Sequence, residues 1–231
     1  MTPGRHQVET HASRAYQHLR QKLISGEFKP GTRLLYGPIG KEIGVSATPV
    51  REAAGQLATE GMVELVPQIG AVVRSINEPE IQELYEVRNL IEPFASARAS
   101  ERATSEDIQL IANEFNTMRS LVEQEKNSSS PEETQEIAYK FNQADHNFHL
   151  RVVEATGNHT LVRTSTQSNI LTRVFGIWMH RQGSDVMENT CNEHEKIFTA
   201  IQNGNAEAAH EAASNHILKG LQLSLQSFRE A

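Results

Sequence analysis

The sequence predicts a mainly α protein in two parts: an α+β head with a short hairpin over residues 1–77, then an all-α antiparallel helical bundle over residues 78–231. Three observations carry this reading. Apolar residues recur at helical spacing through most of the chain. One stretch, "MVELV" and "AVVRSI" around "PQIG", alternates at strand spacing, and no such pattern returns after Asn77. Charge also divides there: residues 1–77 hold nine Lys and Arg against six Asp and Glu, and the rest thirteen against twenty-three, within a net charge of −7. A basic head on an acidic body directs a polyanionic partner to the head.

The elements follow in order. Residues 12–25 form an amphipathic helix whose stripe is Ala15, Leu19 and Leu23, ended by Gly26 and the Pro30-Gly31 turn. A short helix covers 37–43. Ser46 caps the next, 47–60, with Pro49 in its first turn, and Gly61 closes it. The hairpin comes next. Asn77 caps a helix over 78–102, with Pro79 in its first turn, and Thr104 and Ser105 cap another over 105–126. Further helices are predicted over 134–156, 158–181, 185–203 and 205–228, separated by "KNSSSPEE", Gly157-Asn158, Gly183-Ser184 and Asn203-Gly204-Asn205. No apolar run approaches the ~20 residues that would span a bilayer, so no membrane partner is expected. The first residues lack the apolar core of a secretory signal, and the single Cys191 fits a reducing compartment; a cytoplasmic location is expected.

Helix, short helix, helix, hairpin is the winged helix-turn-helix layout, in which the second helix of the pair enters the DNA major groove by its N-terminal end. Ser46 and Thr48 are small hydrogen-bonding residues at that end, where backbone N–H groups also suit phosphate. Arg51, one turn in, is long enough for a guanine edge or a phosphate. Arg33 and Lys41 are candidate phosphate contacts, and the hairpin tip Gln68–Gly70 would lie over the neighbouring groove or backbone. The plain alternative is an ordinary capped helix whose Arg51 pairs with Glu52 or solvent.

Gly44, Val45, Ser46, Thr48, Pro49, Val50, Arg51, Glu52 and Ala53 match in order a run typical of the GntR family of bacterial transcription regulators, and the head resembles their DNA-binding domain. The resemblance implies DNA contacts at Ser46, Thr48 and Arg51, with Gly70 as the wing glycine. Ala47 stands where the family usually has Arg, which removes one potential base or phosphate contact. Gly55 inside the same helix costs about 1 kcal/mol relative to Ala.

In the body, Asp145 and His149 lie four apart in "FNQADHNFHLRVV" and share a helix face. His194 and His216 lie on two later helices. Each His adjoins apolar stripe residues: Phe148 and Val152, Ile197 and Ile201, Ile217 and Leu221. All four point to one bundle interior, where a divalent cation would satisfy three imidazoles and a carboxylate together. Separate hydrogen-bonded core histidines are the alternative reading of the same spacing. "ELYEVRNLIEPFASARAS" and the Asp-x-x-x-His, Glu-His and final His patterns resemble the FCD domain, the all-α ligand-binding domain of the FadR-like subgroup of that family. In its metal-binding members an Asp, a His one turn on and two later histidines hold the ion. The resemblance therefore implies one divalent ion per chain on Asp145, His149, His194 and His216. Zinc stands first; nickel, cobalt, manganese and iron also suit the set.

Arg88 is a candidate for pairing with an anionic effector, or for a surface ion pair with Glu92 at i+4. Arg173 and Trp178 are candidates for the same cavity, or packing residues. Together these features predict a transcription regulator controlled by a small carboxylate metabolite. It would bind a near-palindromic operator as a homodimer, because a single recognition helix reads only a few base pairs. Two other readings stand beside it: a metal-dependent hydrolase-like enzyme, with Glu193 or Glu195 as general base, and a sensor of the ion itself.

Overall fold

The computed structural model describes residues 10–175 and 183–230. Among them the head holds α1 (His11–Ile24), α2 (Tyr36–Ile43), α3 (Ala47–Thr59), β1 (Val63–Val66) and β2 (Gly70–Val73). The body holds α4 (Glu78–Arg102), α5 (Ser105–Lys126), α6 (Pro131–Glu154), α7 (His159–Val174), α8 (Ser184–Gln202) and α9 (Ala206–Glu230). The fold is thus a winged helix-turn-helix followed by an all-α bundle. One compact unit runs to Ile76 and the other begins at Asn77.

The head is built on a small apolar core. Ala15, Leu19 and Leu23 of α1 are fully buried, and α1 packs against α3 through Val50, Ala53, Ala54 and Leu57. Thr10 caps α1 by accepting from the Ser13 N–H. α2 ends where Gly44 takes a left-handed φ of 71°, with the Val45 N–H returning to the Gly40 carbonyl at 2.8 Å. This closure lets α2 turn at once into α3. Ser46 occupies the N-cap position of α3 in extended backbone, but its side chain makes no capping bond there. The expected cap is thus one of position only. β1 and β2 pair antiparallel with Val63 opposite Val73 and Val66 opposite Gly70, and Gln68 takes a positive φ of 64° at the tip. Arg33 adds an isolated bridge to Val72.

The body begins with a reciprocal cap: Asn77 accepts from the Glu80 N–H, and Glu80 accepts from the Asn77 N–H. Thr104 and Asp107 repeat the device at α5. α6 starts three residues earlier than its apolar pattern suggests, because Ser130 caps it and Pro131 fits its first turn. α7 is described to Val174; the rest of the helix expected over 158–181, with Trp178, lies outside the described residues. Phe141 and Phe148 of α6, Ile111 and Met118 of α5, and Met187, Cys191 and Ile197 of α8 form the centre of one apolar core. Leu221, expected in the buried stripe of α9, is only half-buried. α4 packs along α9, closely enough at Gly220 that an added Cβ would lie 3.2 Å from the Tyr85 ring.

Two glycines of the head make opposite predictions. A Cβ on Gly40 would lie 2.7 Å from the Val45 carbonyl oxygen, which is backbone and cannot swing aside. Gly40→Ala is expected to destabilise the head by roughly 1–3 kcal/mol. Gly55 is helical with nothing within 4 Å of an added Cβ, so Gly55→Ala should stabilise by about 1 kcal/mol. Thermal and urea unfolding of the two variants, read in opposite directions, check both.

Candidate metal centre and nucleic-acid interface

Asp145 and His149 on α6, His194 on α8 and His216 on α9 converge. One ligand atom from each lies within 4.8 Å of the others, and all four residues are buried. His194 is fully buried. Its ring meets the Phe148 ring edge-on at 4.6 Å and the His216 ring at 4.5 Å, while His149 and His216 stack at 5.1 Å. Aromatic packing of this kind fixes ring planes as well as positions.

The outward nitrogen of every imidazole has a partner. His149 Nδ1 lies 2.8 Å from Glu92 Oε2, His194 Nδ1 is 2.8 Å from the Thr190 carbonyl, and His216 Nδ1 is 2.8 Å from Glu193 Oε2. A carbonyl and two carboxylates can only accept, so each Nδ1 carries the proton and Nε2 is the candidate ligand atom. His194 Nε2 then faces His149 Nε2 at 3.2 Å and Asp145 Oδ1 at 3.3 Å. Burial, with the nearby His216, holds the His194 imidazole well below its usual pKa against the pull of Asp145, so it is neutral. Atoms bearing lone pairs at this separation require a positive charge among them, either a proton or a cation. Two or three imidazole nitrogens with one carboxylate oxygen are a donor set that divalent zinc and its neighbours accept. Cys191 is buried, and burial pushes its thiol up to about 12, so it remains a core thiol.

Around this cluster lies a charged relay. Arg88 Nε bonds Glu92 Oε1 at 2.7 Å, with Nη2 at 3.4 Å from Oε2, and the guanidinium covers the Tyr85 ring at 5.0 Å. Both side chains are buried, so the ion pair is not the surface pair the i+4 spacing suggests. Burial opposes the charge on each. The Glu92 carboxylate, with Tyr85 and Asp145, nevertheless raises the Arg88 pKa, and Arg88 with His149 holds the Glu92 carboxyl far below its usual range. The role of Glu92 against His149 has no signature in sequence beyond the i+4 pair, because His149 lies on another helix. Glu193 bonds His216 and Lys219, and Glu195 pairs with Arg119, so both carboxylates weighed as a general base hold structural contacts. The side chain of Arg173 lies outside the described residues.

In the head, Ser46, Ala47, Thr48 and Arg51 are exposed together at the start of α3, with no acidic residue in its first turn. First-turn N–H groups and the helix dipole there suit an anion. The Arg51 guanidinium lies 5.8 Å over the Tyr36 ring, and the same ring sits 3.6–3.8 Å from where a Gly70 Cβ would be. Tyr36 therefore joins the recognition helix to the wing, and only Gly suits position 70, whose φ is 103°. Sequence reasoning missed Tyr36. Arg33 and Lys41 are exposed.

Comparison with known proteins agrees with both halves. The model of the FCD domain matches residues 83–219, and that of bacterial regulatory proteins of the gntR family matches residues 11–73. The chain belongs to the GntR family and carries an FCD domain. A Bacillus subtilis relative, the uncharacterized HTH-type transcriptional regulator YdhC, is 28% identical over 93% of this chain and 92% of its own. The galactonate operon transcriptional repressor of Escherichia coli is 29% identical over 84% of this chain and 88% of its own. Among solved structures, E. coli McbR/YncC superposes with a TM-score of 0.78 over 95% of this chain and 99% of its own at 17% identity, a likeness of fold. The chain is thus a DNA-binding transcription regulator of FadR-like architecture. Among the described residues no helix is long and apolar enough to cross a membrane.

Removing one member of the buried relay leaves the other charge unpaired. Glu92→Ala is expected to destabilise the metal-free protein by about 3–5 kcal/mol. Arg88→Met with Glu92→Leu, which removes both charges, should recover most of that loss. Urea unfolding in the presence of a chelator measures the difference.

Proposed function

We propose that this regulator holds one divalent ion, zinc foremost, on Asp145 and the Nε2 atoms of His149, His194 and His216. A small carboxylate metabolite docks there and changes the affinity of the head for its operator. The observation that carries this reading is the orientation of the imidazoles: every Nδ1 is bound outward, and lone pairs are crowded inward at 3.2–3.3 Å. When bound, the ion supplies a Lewis-acid anchor for an oxygen of the effector. Glu92 takes the Nε and Nη2 edge of Arg88, and the Nη1 edge is the one an effector carboxylate would meet. A relative named as the repressor of a galactonate operon supports an acid as the signal.

In the head, Ser46, Thr48 and Arg51 contact the operator, Arg33 and Lys41 its phosphates, and Gly70 the adjoining groove. The protein acts as a homodimer in the cytoplasm on a near-palindromic site. Val87, Leu90 and Phe94, exposed at i, i+3 and i+7 of α4, give the body an apolar stripe suited to a second copy. The effector must bind the two dimer arrangements unequally, since equal binding shifts nothing.

Elemental analysis of the purified protein should find about one divalent ion per chain, and His194→Ala should lose it. Chelation should lower the melting temperature of the wild type and leave that of His194→Ala unchanged. Full occupancy in both His149→Ala and His194→Ala would refute the ligand set.

Arg51→Ala should weaken specific operator binding by roughly 1–3 kcal/mol per head without altering the melting temperature. Operator titrations at several salt concentrations test it, and unchanged affinity would make Arg51 a plain surface charge. Operator affinity measured with and without acids found by thermal shift tests the coupling. Acids that act equally on chelated protein would refute the metal anchor.

A further inference from the structure

A side chain as long as Arg51 can serve a guanine edge or a phosphate, and the surroundings of its guanidinium separate the two. Glu52 is adjacent and exposed, yet among the described residues Arg51 makes no ion pair and no hydrogen bond. Its guanidinium instead lies over the Tyr36 ring, 5.8 Å from the centroid. Such a contact restrains the guanidinium without using its N–H donors. An arginine lacking that support swings to whichever phosphate is nearest. One held by a ring keeps its fork oriented, as a bidentate contact with guanine O6 and N7 requires.

The other end of Tyr36 faces the wing. Tyr36 is the first residue of α2 and is half-buried. A Cβ built on Gly70 would lie 3.6 Å from its hydroxyl oxygen, 3.7 Å from Cζ and 3.8 Å from Cε2, so the hydroxyl end of the ring rests on the wing glycine. Among the described residues that hydroxyl has no hydrogen-bond partner. With the N-terminal end of α3 in the major groove, a wing tip beside it falls over the adjoining groove. The sugar–phosphate strand that separates two grooves then passes the gap between α3 and the wing, where the Tyr36 hydroxyl stands. α3 has no acidic residue in its first turn to repel that strand. A phenol O–H without a partner at this gap suits a phosphate oxygen.

We propose that Tyr36 is a DNA-contacting residue with two tasks. Its hydroxyl donates to the phosphate between the groove read by α3 and the groove beneath the wing. Its ring holds Arg51 on a guanine edge and away from that same phosphate. The second task rests on the placement of Arg51 at the operator given above.

The probe is the duplex that the full-length wild type selects from a random pool, measured beside a non-specific duplex. Tyr36→Phe keeps the ring and removes the hydroxyl. It should weaken binding of both duplexes about tenfold, hold their ratio within about twofold and leave the salt slope unchanged, because a neutral donor releases no counterion. Methylphosphonate scanned along one half-site should find one phosphate whose replacement weakens the wild type about tenfold more than Tyr36→Phe. Tyr36→Leu also removes the ring. Discrimination at one guanine, read by replacing base pairs singly, should fall about tenfold, and Tyr36→Leu added to Arg51→Ala should lower it no further. Melting temperatures report folding; if Tyr36→Leu does not fold, Tyr36→Phe and the phosphate scan still decide the proposal. Full affinity in Tyr36→Phe, or the same phosphate scan in both proteins, overturns the phosphate contact. Unchanged discrimination in Tyr36→Leu overturns the support of Arg51. Arg51→Ala at full affinity overturns the placement of Arg51, and the second task with it, while the scan still decides the first.

Discussion

Three imidazoles and a carboxylate converge at the centre of an apolar bundle, and the arrangement of the body around them is set by how their outward sides are satisfied. The Nδ1 atoms are held from two helices: Glu92 on α4 bonds His149, and on α8 the Thr190 carbonyl bonds His194 while Glu193 reaches His216 on α9. A polar cluster without those partners would cost more than the surrounding Phe148, Val152 and Ile197 contribute by their burial. The acceptors also select the tautomer, so three separate helices present the same kind of nitrogen to one point.

Glu92 connects this centre to the helix that follows the head. It lies between Arg88 and His149, and its ionised state survives burial only because both neighbours favour it. Glu92 thus ties α6 to α4, whose first turn is held by the reciprocal cap of Asn77 and Glu80. In the head, Tyr36 plays a comparable part on a smaller scale. Its ring lies against the wing glycine and beneath Arg51, so the residue expected to read DNA is oriented by a neighbour from another element.

Much of this was present in the sequence because it is local. Helix periodicity, the Asn77 and Thr104 caps, the left-handed Gly44 and Gly61 and the alternating hairpin depend on residues a few positions apart, and those rules act before any tertiary contact forms. The Asp145 and His149 pairing is local in the same sense, four residues on one face. The run from Gly44 to Ala53 likewise marked the family, because a short turn and a capped helix constrain residue types strongly.

What the tertiary structure decided is which distant groups meet. That His194 and His216 come within reach of Asp145 depends on three helices packing at one level, and sequence spacing by itself favoured separate core histidines. The i+4 relation of Arg88 and Glu92 was legible, but its burial and its contact with His149 were not. Nor could spacing show that Glu193 would support His216, or that Tyr36 would lie beneath Arg51. Local rules fix where a side chain points on its own helix; the rotation and offset of one helix against another, which decide what it meets, come from the packing of the whole core.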